Sequence, residues 1–173
     1  MHPSFQRLFT ILELQRKNTL ASVMQLNNEQ INSAPEGKWS IAHILSHIIA
    51  AEKMSLQYIR KKIQGVKEAE DTGIKEEIKM IILKLSQRLP GIKFKAPKQV
   101  VETTTLFTDV ETIKKEWDTV RGEFSALLET IPDEYINRKI YRHVRVGYLN
   151  MKHALMFFRE HIGHHLPQIK KLL

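Results

Sequence analysis

The sequence predicts an all-α protein, a four-helix bundle with one long crossover and an additional short helix. Three observations carry that expectation. Only seven Gly and six Pro are spread over 173 residues, too few for a strand-and-turn architecture. Four long segments repeat apolar residues at steps of three and four, the period of a helix with one buried face. Capping residues precede the segments where such stripes begin.

The first helix is expected from about Pro3, whose fixed φ suits a first turn, to Leu26, with Phe5, Leu8, Leu12, Leu20 and Val23 as an interrupted stripe. Asn27 to Lys38 reads as polar and turn-rich. A second helix begins near Trp39-Ser40, with Ser40 as N-cap, and runs to Gln64, where Gly65 stops it. Its stripe is Ile41, Ile44, Ile48, Ala51, Ile59 and Ile63. A short helix is expected over about Lys75 to Arg88, ended by Leu89-Pro90-Gly91. Residues 92–108, with Pro97 and three consecutive threonines, read as the crossover, which lets the helices it joins run in the same direction. Thr108-Asp109-Val110-Glu111 has the form of a capping box for the third long helix. Ile113, Trp117, Val120, Phe124, Leu127, Leu128 and Ile131 form its apolar face, and Pro132 closes it. A basic, aromatic loop leads to Asn150, the N-cap of a last helix striped with Met151, Ala154, Leu155, Phe158, Ile162, Ile169 and Leu172. No repeat or internal boundary divides residues 1–173, which read as a single domain.

Net charge is +8, from 27 Lys and Arg against 19 Asp and Glu. The basic residues are scattered rather than interleaved with aromatics in a binding module, so an anionic small-molecule substrate explains the charge better than nucleic acid. The absence of cysteine removes disulfides, thiolate ligands and a cysteine nucleophile, and suits a reducing compartment. The opening residues lack a signal-peptide layout, and no apolar run approaches the ~20 residues of a bilayer span. A cytoplasmic protein without a membrane segment is the expectation.

Five of the eight histidines fall in two groups, His43 and His47 in the second long helix and His161, His164 and His165 in the last. Steps of three and four join Met151, Ala154, Phe158, His161, His165 and Ile169 into one stripe, and Ile44, His47, Ala51 and Tyr58 into another. His47, His161 and His165 should therefore point inward. An unpaired buried polar group costs ~1–3 kcal/mol, so inward imidazoles need partners. Two inward histidines at i and i+4 sit about 6 Å apart, the spacing of zinc-binding helix pairs. A third from a facing helix leaves a coordination position open, as in a catalytic rather than a structural zinc site. The alternative is core histidines bonded to carbonyls, hydroxyls or water. His43 and His164 lie on the flanks of the stripes, and His2, His143 and His153 carry no signal.

The chain resembles the DinB-like superfamily, which includes metal-dependent hydrolases related to bacillithiol S-transferase. The resemblance spans about Phe5 to Leu172. It is carried by Leu26-Asn27-Asn28-Glu29-Gln30-Ile31, by Gly37-Lys38-Trp39-Ser40-Ile41 with His47 eight residues after Trp39, and by Trp117 to Arg121. Gly147-Tyr148-Leu149-Asn150 and the run His161-Ile162-Gly163-His164-His165-Leu166-Pro167-Gln168-Ile169 complete it. It implies a zinc- or nickel-type divalent metal on His47, His161 and His165, frequent homodimers, and thiol-transfer or isomerase chemistry with a low-molecular-weight thiol. Hydrolysis and non-enzymatic metal binding remain the alternatives. Arg121, Arg142 and Arg145 are candidates to bind an anionic thiol or cofactor, with ordinary ion pairing as the other reading. Pro167 departs from a regular helix, because it removes an amide donor opposite the Gly163 carbonyl, and a kink would disturb His165.

Overall fold

In the computed structural model, residues 1–88, 100 and 104–173 are described. Helix α1 (Pro3–Val23) is capped by the His2 ring, whose Nδ1 accepts from the Ser4 amide at 3.2 Å. It ends before Leu26 because Asn27 already caps a new turn, α2 (Asn28–Asn32). Asn27 and Gln30 form a reciprocal capping box there, so the segment expected as turn-rich holds a one-turn helix that buries Ile31. A turn closed by the Lys38 amide on the Pro35 carbonyl follows, with Gly37 at φ 69° supplying the left-handed residue. It delivers Trp39 and the N-cap Ser40 to α3 (Ile41–Lys62), which continues into a 3-10 segment, Ile63–Glu68.

Helix α4 (Ile74–Arg88) reaches the edge of the described residues, and the expected Leu89-Pro90-Gly91 stop and most of the crossover lie outside them. Residues 104–108 are non-helical, and the Phe107 amide donates to Ser46 Oγ on α3 at 3.0 Å. Helix α5 (Val110–Thr130) is capped by Asp109 rather than Thr108: the Asp109 carboxylate accepts from the Thr112 amide at 2.7 Å. A carboxylate at this helix end also meets the positive pole of the dipole, which a hydroxyl would not. Asn150 caps α6 (Met151–Lys170) as expected. That helix runs through Pro167, which falls in its final turn, where little helix remains to be disrupted.

Helices α1, α3, α5 and α6 form the bundle: α1 lies against α5 and α6, and α3 against the same pair. The predicted stripes meet in its core, with Phe5, Leu12, Ile44, Ile48, Trp117, Phe124, Phe158 and Ile162 all at 2% exposure or less. Each such side chain contributes about 1.5–3 kcal/mol by leaving water. The additional helix, α4, packs on α6 through Met80 and Leu83. Arg88 on α4 reaches Glu160 on α6 with two hydrogen bonds, 2.6 and 2.7 Å, and Glu77 meets His153 Nε2 at 3.0 Å.

The segment between α5 and α6 is not a plain loop. It folds into an antiparallel hairpin, β1 (Tyr141–His143) and β2 (Gly147–Leu149), in the register Tyr141–Leu149, Arg142–Tyr148, His143–Gly147. Its three-residue turn is followed by Gly147 at φ 80°, the left-handed position such turns require. Alternation along β1 buries Tyr141 and His143 and exposes Arg142.

One polar network crosses the bundle. Glu52 on α3, 1% exposed, accepts from Arg121 Nη2 at 2.6 Å and from Trp117 Nε1 at 2.9 Å, both on α5. Arg121 also lies 3.5 Å from Glu13 on α1, which Arg16 holds at 2.8 Å. Arg16 pairs in turn with Asp118. Burial pushes the Glu52 carboxyl up, and the charge of Arg121 opposes that rise. Removing only the cation should leave a stranded buried carboxylate, so Arg121→Met is expected to destabilise the protein by roughly 3–5 kcal/mol. The double change Glu52→Gln with Arg121→Met should recover most of that loss in urea unfolding. Equal losses in both variants would show that the stranded charge is not the cause.

Candidate metal centre

His47 sits near the start of α3, two turns after the Ser40 cap, and His161 and His165 lie one turn apart near the end of α6. The α3–α6 packing brings the three rings together at a nearly equilateral spacing, with centroids 5.1, 5.1 and 4.9 Å apart. Their planes cross at 73–76°, like blades around an axis. His161 Nε2 lies 3.2 Å from His47 Nε2 and 3.3 Å from His165 Nε2.

Hydrogen bonding does not account for this arrangement. Neutral imidazole has at Nε2 either one proton or one lone pair, in the ring plane, and so cannot serve two neighbours at once. Around a tetrahedral ion with Zn–N bonds of 2.0–2.1 Å, ligand nitrogens stand about 3.3–3.4 Å apart. The two separations from His161 match that edge and the three ligand atoms all lie within 4.8 Å of one another, so these three side chains could hold a divalent ion through Nε2. The His165 ring also presents the right tautomer. Its Nδ1 donates to Gln168 Oε1 at 3.3 Å, which leaves the Nε2 lone pair free. Nδ1 of His47 and of His161 is buried with no protein partner among the described residues.

All three rings are held neutral. Burial lowers the His47 pKa to about 4, helped by the charges of His43 and His164. Burial, then His47 and His164, lowers His165 to about 3 despite the Gln168 bond. His161 is pushed well below the ordinary value by burial and then by His165 and His47. A ligand that is already neutral loses no proton when it takes a metal.

Aromatic side chains wall the cluster. Trp39 stacks on His43 at 4.3 Å and touches His47 at 5.1 Å, while Phe157 stacks on His161 at 5.4 Å. His43 is therefore a wall residue, and His164 turns to α4, with its Nδ1 3.2 Å from the Gln87 carbonyl. Glu160, which precedes the first α6 ligand, is engaged by Arg88 and faces α4.

The cluster opens into a cavity of about 1450 Å³ between α3, α4, α6 and the hairpin. Among the described residues that line it are Lys38, Lys61, Arg142, Arg145 and Lys171, and no Asp or Glu. Arg142 lies over the Tyr148 ring at 5.5 Å. Arg121 is not brought to this cavity. The face of α5 that carries it meets Glu52 of α3, so its guanidinium is consumed in the bundle interior at 3% exposure. Conversely, the structure adds His143 and Tyr141 to the cavity wall. The alternation Tyr141-Arg142-His143 before Gly147 is the signal that marks them, but a three-residue strand is too short for periodicity to separate from loop.

The profile of the DinB superfamily matches residues 11–169. The chain belongs to the DinB superfamily. A search of curated proteins finds no match. Among solved structures, the chain is similar to YfiT from Bacillus subtilis, described as a probable metal-dependent hydrolase with an unusual four-helix bundle topology. The TM-score is 0.59 at 16% identity, over 99% of this chain and 87% of that one, a likeness of fold. No helix among the described residues is long and apolar enough to cross a membrane.

The depressed histidines have a consequence for the metal-free protein. His47, His165 and His143, also near 4 through burial, stay neutral in the folded chain but titrate near 6.5 when unfolded. Stability present above pH 6.5 should therefore fall as pH drops toward 4, by up to about 1.4 kcal/mol per pH unit for each proton taken up on unfolding. Urea unfolding of chelator-treated protein across this window measures the slope. A flat profile would mean that the rings are solvated.

Proposed function

We propose that the protein is a metal-dependent transferase that joins a low-molecular-weight, anionic thiol to an electrophile, with zinc or nickel held by His47, His161 and His165. The carrying observation is the convergence of three imidazoles, with His161 Nε2 at the tetrahedral edge length from both of its neighbours. Bound there, such an ion supplies the Lewis acidity that turns a thiol or water into a nucleophile at neutral pH. The protein's own residues do the rest. Gln168 orients His165 through Nδ1, and Trp39 and Phe157 keep water from the flanks of the cluster. Arg142 and Arg145 at the cavity wall attract the acidic group of the thiol, aided by Lys38, Lys61 and Lys171. The chain contains no cysteine, so the sulfur comes from the substrate.

Cavity size favours transfer. Pockets for one small molecule occupy ~300–1000 Å³, and this one, at about 1450 Å³, has room for thiol and electrophile together. The absence of a carboxylate among the described lining residues fits a reaction whose nucleophile needs no protein base. Hydrolysis is the second reading, favoured by the likeness to YfiT.

Zinc titration should give about one ion per chain. His47→Ala, His161→Ala and His165→Ala should each lower affinity more than about a hundredfold, and Gln168→Ala about tenfold. His164→Ala should stay within about threefold, because its ring addresses α4. Equal losses at His161, His164 and His165 would show the ligand pair to be misassigned. For the chemistry, monobromobimane or a chloro-nitrobenzene is offered with several thiols, with and without chelator, beside ester and amide substrates. Chelator-sensitive conjugation supports transfer, chelator-sensitive cleavage alone supports hydrolysis, and background rates throughout overturn both.

A further inference from the structure

His143 lies outside the metal cluster, yet it shares its cavity. On β1 it follows Tyr141 by two, so both face inward while Arg142 faces out. The His143 ring packs edge-on against Phe157 at 4.5 Å and 63°, and Phe157 stacks on His161 at 5.4 Å. One phenyl ring thus separates His143 from a candidate metal ligand.

Hairpin geometry decides which nitrogen of this ring carries a proton. The Arg145 amide donates to His143 Nδ1 at 3.3 Å, inside the turn between the strands. A backbone amide can only donate, so Nδ1 must be the lone-pair nitrogen, and in the neutral ring the proton sits on Nε2. Among the described residues that Nε2 has no protein partner, and it is not sealed from solvent, so it opens on the cavity that His143 lines. Directly across the ladder stands Gly147, which has no side chain to cover the ring. Burial and the charge of Arg145 hold the imidazole neutral. A neutral N–H without a protein acceptor, on a residue that lines the cavity, is available to a ligand there.

We propose that His143, through Nε2–H, is the hydrogen-bond donor for an anionic or carbonyl oxygen of the small molecule bound in the cavity beside His47, His161 and His165. The role is that of a fixed neutral donor, not a base, because its one lone pair is engaged by the backbone. It resembles an oxyanion-hole donor in being oriented before the ligand arrives. The proposal rests on the cavity being the substrate site, as read above, and adds the residue that recognises the oxygen. Arg145 is thereby bifunctional: its amide sets the His143 tautomer while its side chain lies at the same wall.

Acetate is the probe, and long-range ¹H–¹⁵N spectra of the labelled full-length protein are the first readout. His143 should show the Nε2–H tautomer with and without zinc, and its Nε2 resonance should move as acetate is added to the zinc-loaded protein. His143→Leu should weaken acetate binding about tenfold, whereas His143→Gln, which keeps an N–H donor, should stay within about threefold. Zinc affinity should be unchanged in both. An Nδ1–H tautomer, an unmoved Nε2 signal, or wild-type acetate affinity in His143→Leu would each overturn the proposal. Should His143→Leu fail to fold, the tautomer and the wild-type titration decide. Failure of the wild type to take up zinc would instead count against the metal-centre reading, since the His143 tautomer and the acetate titration remain measurable without it.

Discussion

Three imidazoles on the contact between α3 and α6, two buried and His161 partly so, are the constraint around which the rest of the molecule is arranged. Placing rings on apolar stripes removes them from water, and each unpaired nitrogen then costs ~1–3 kcal/mol. Their mutual spacing offers no hydrogen-bonding solution, because His161 Nε2 faces two neighbours at once. A cation at the centre is what satisfies all three lone pairs together. The stability of the bundle and the identity of its centre are therefore coupled. The helices bring the ligands within reach, and an ion would return part of the cost of burying them.

The bundle separates two kinds of buried charge. Between α1, α3 and α5, Glu13, Glu52 and Asp118 are balanced by Arg16, Arg121 and Lys114, with Trp117 as an additional donor. That network leaves Arg121 Nε buried without a partner among the described residues, and such a network is more a device of registration than of net stability. The histidine cluster is the opposite case. It combines neutral rings, orphaned Nδ1 atoms and a surrounding wall rich in cations. A cavity wall of Lys and Arg beside the cluster is costly without an anion to offset it.

Two elements outside the four long helices shape that cavity. Helix α4 provides Leu83 and Gln87, and the Gln87 carbonyl engages Nδ1 of His164, whose ring packs 5.2 Å from His165. The hairpin provides Tyr141, His143 and Arg145. Arg88 to Glu160 holds α4 on α6, and Asn150 Nδ2 to Thr72 Oγ1 at 2.7 Å ties the start of α6 to the segment before α4.

By itself the sequence determined what depends on near neighbours along the chain. The apolar stripes of α5 and α6, the caps Ser40 and Asn150, and the inward side of His47, His161 and His165 all follow from a 3.6-residue period and local hydrogen bonding. Pro167 looked disruptive in sequence but proved tolerable for a reason also local, its place in the last turn of α6. What only the tertiary structure decided involves partners far apart in sequence. Arg121 was a candidate anion binder until Glu52, 69 residues away, proved to occupy its guanidinium. His143 carried no signal until a hairpin three residues deep turned it toward Phe157 and fixed its tautomer through Arg145. Periodicity tells which way a side chain points, but the charge or proton waiting there depends on how the elements dock, and docking is set by the packing of whole faces rather than by any one residue's neighbours.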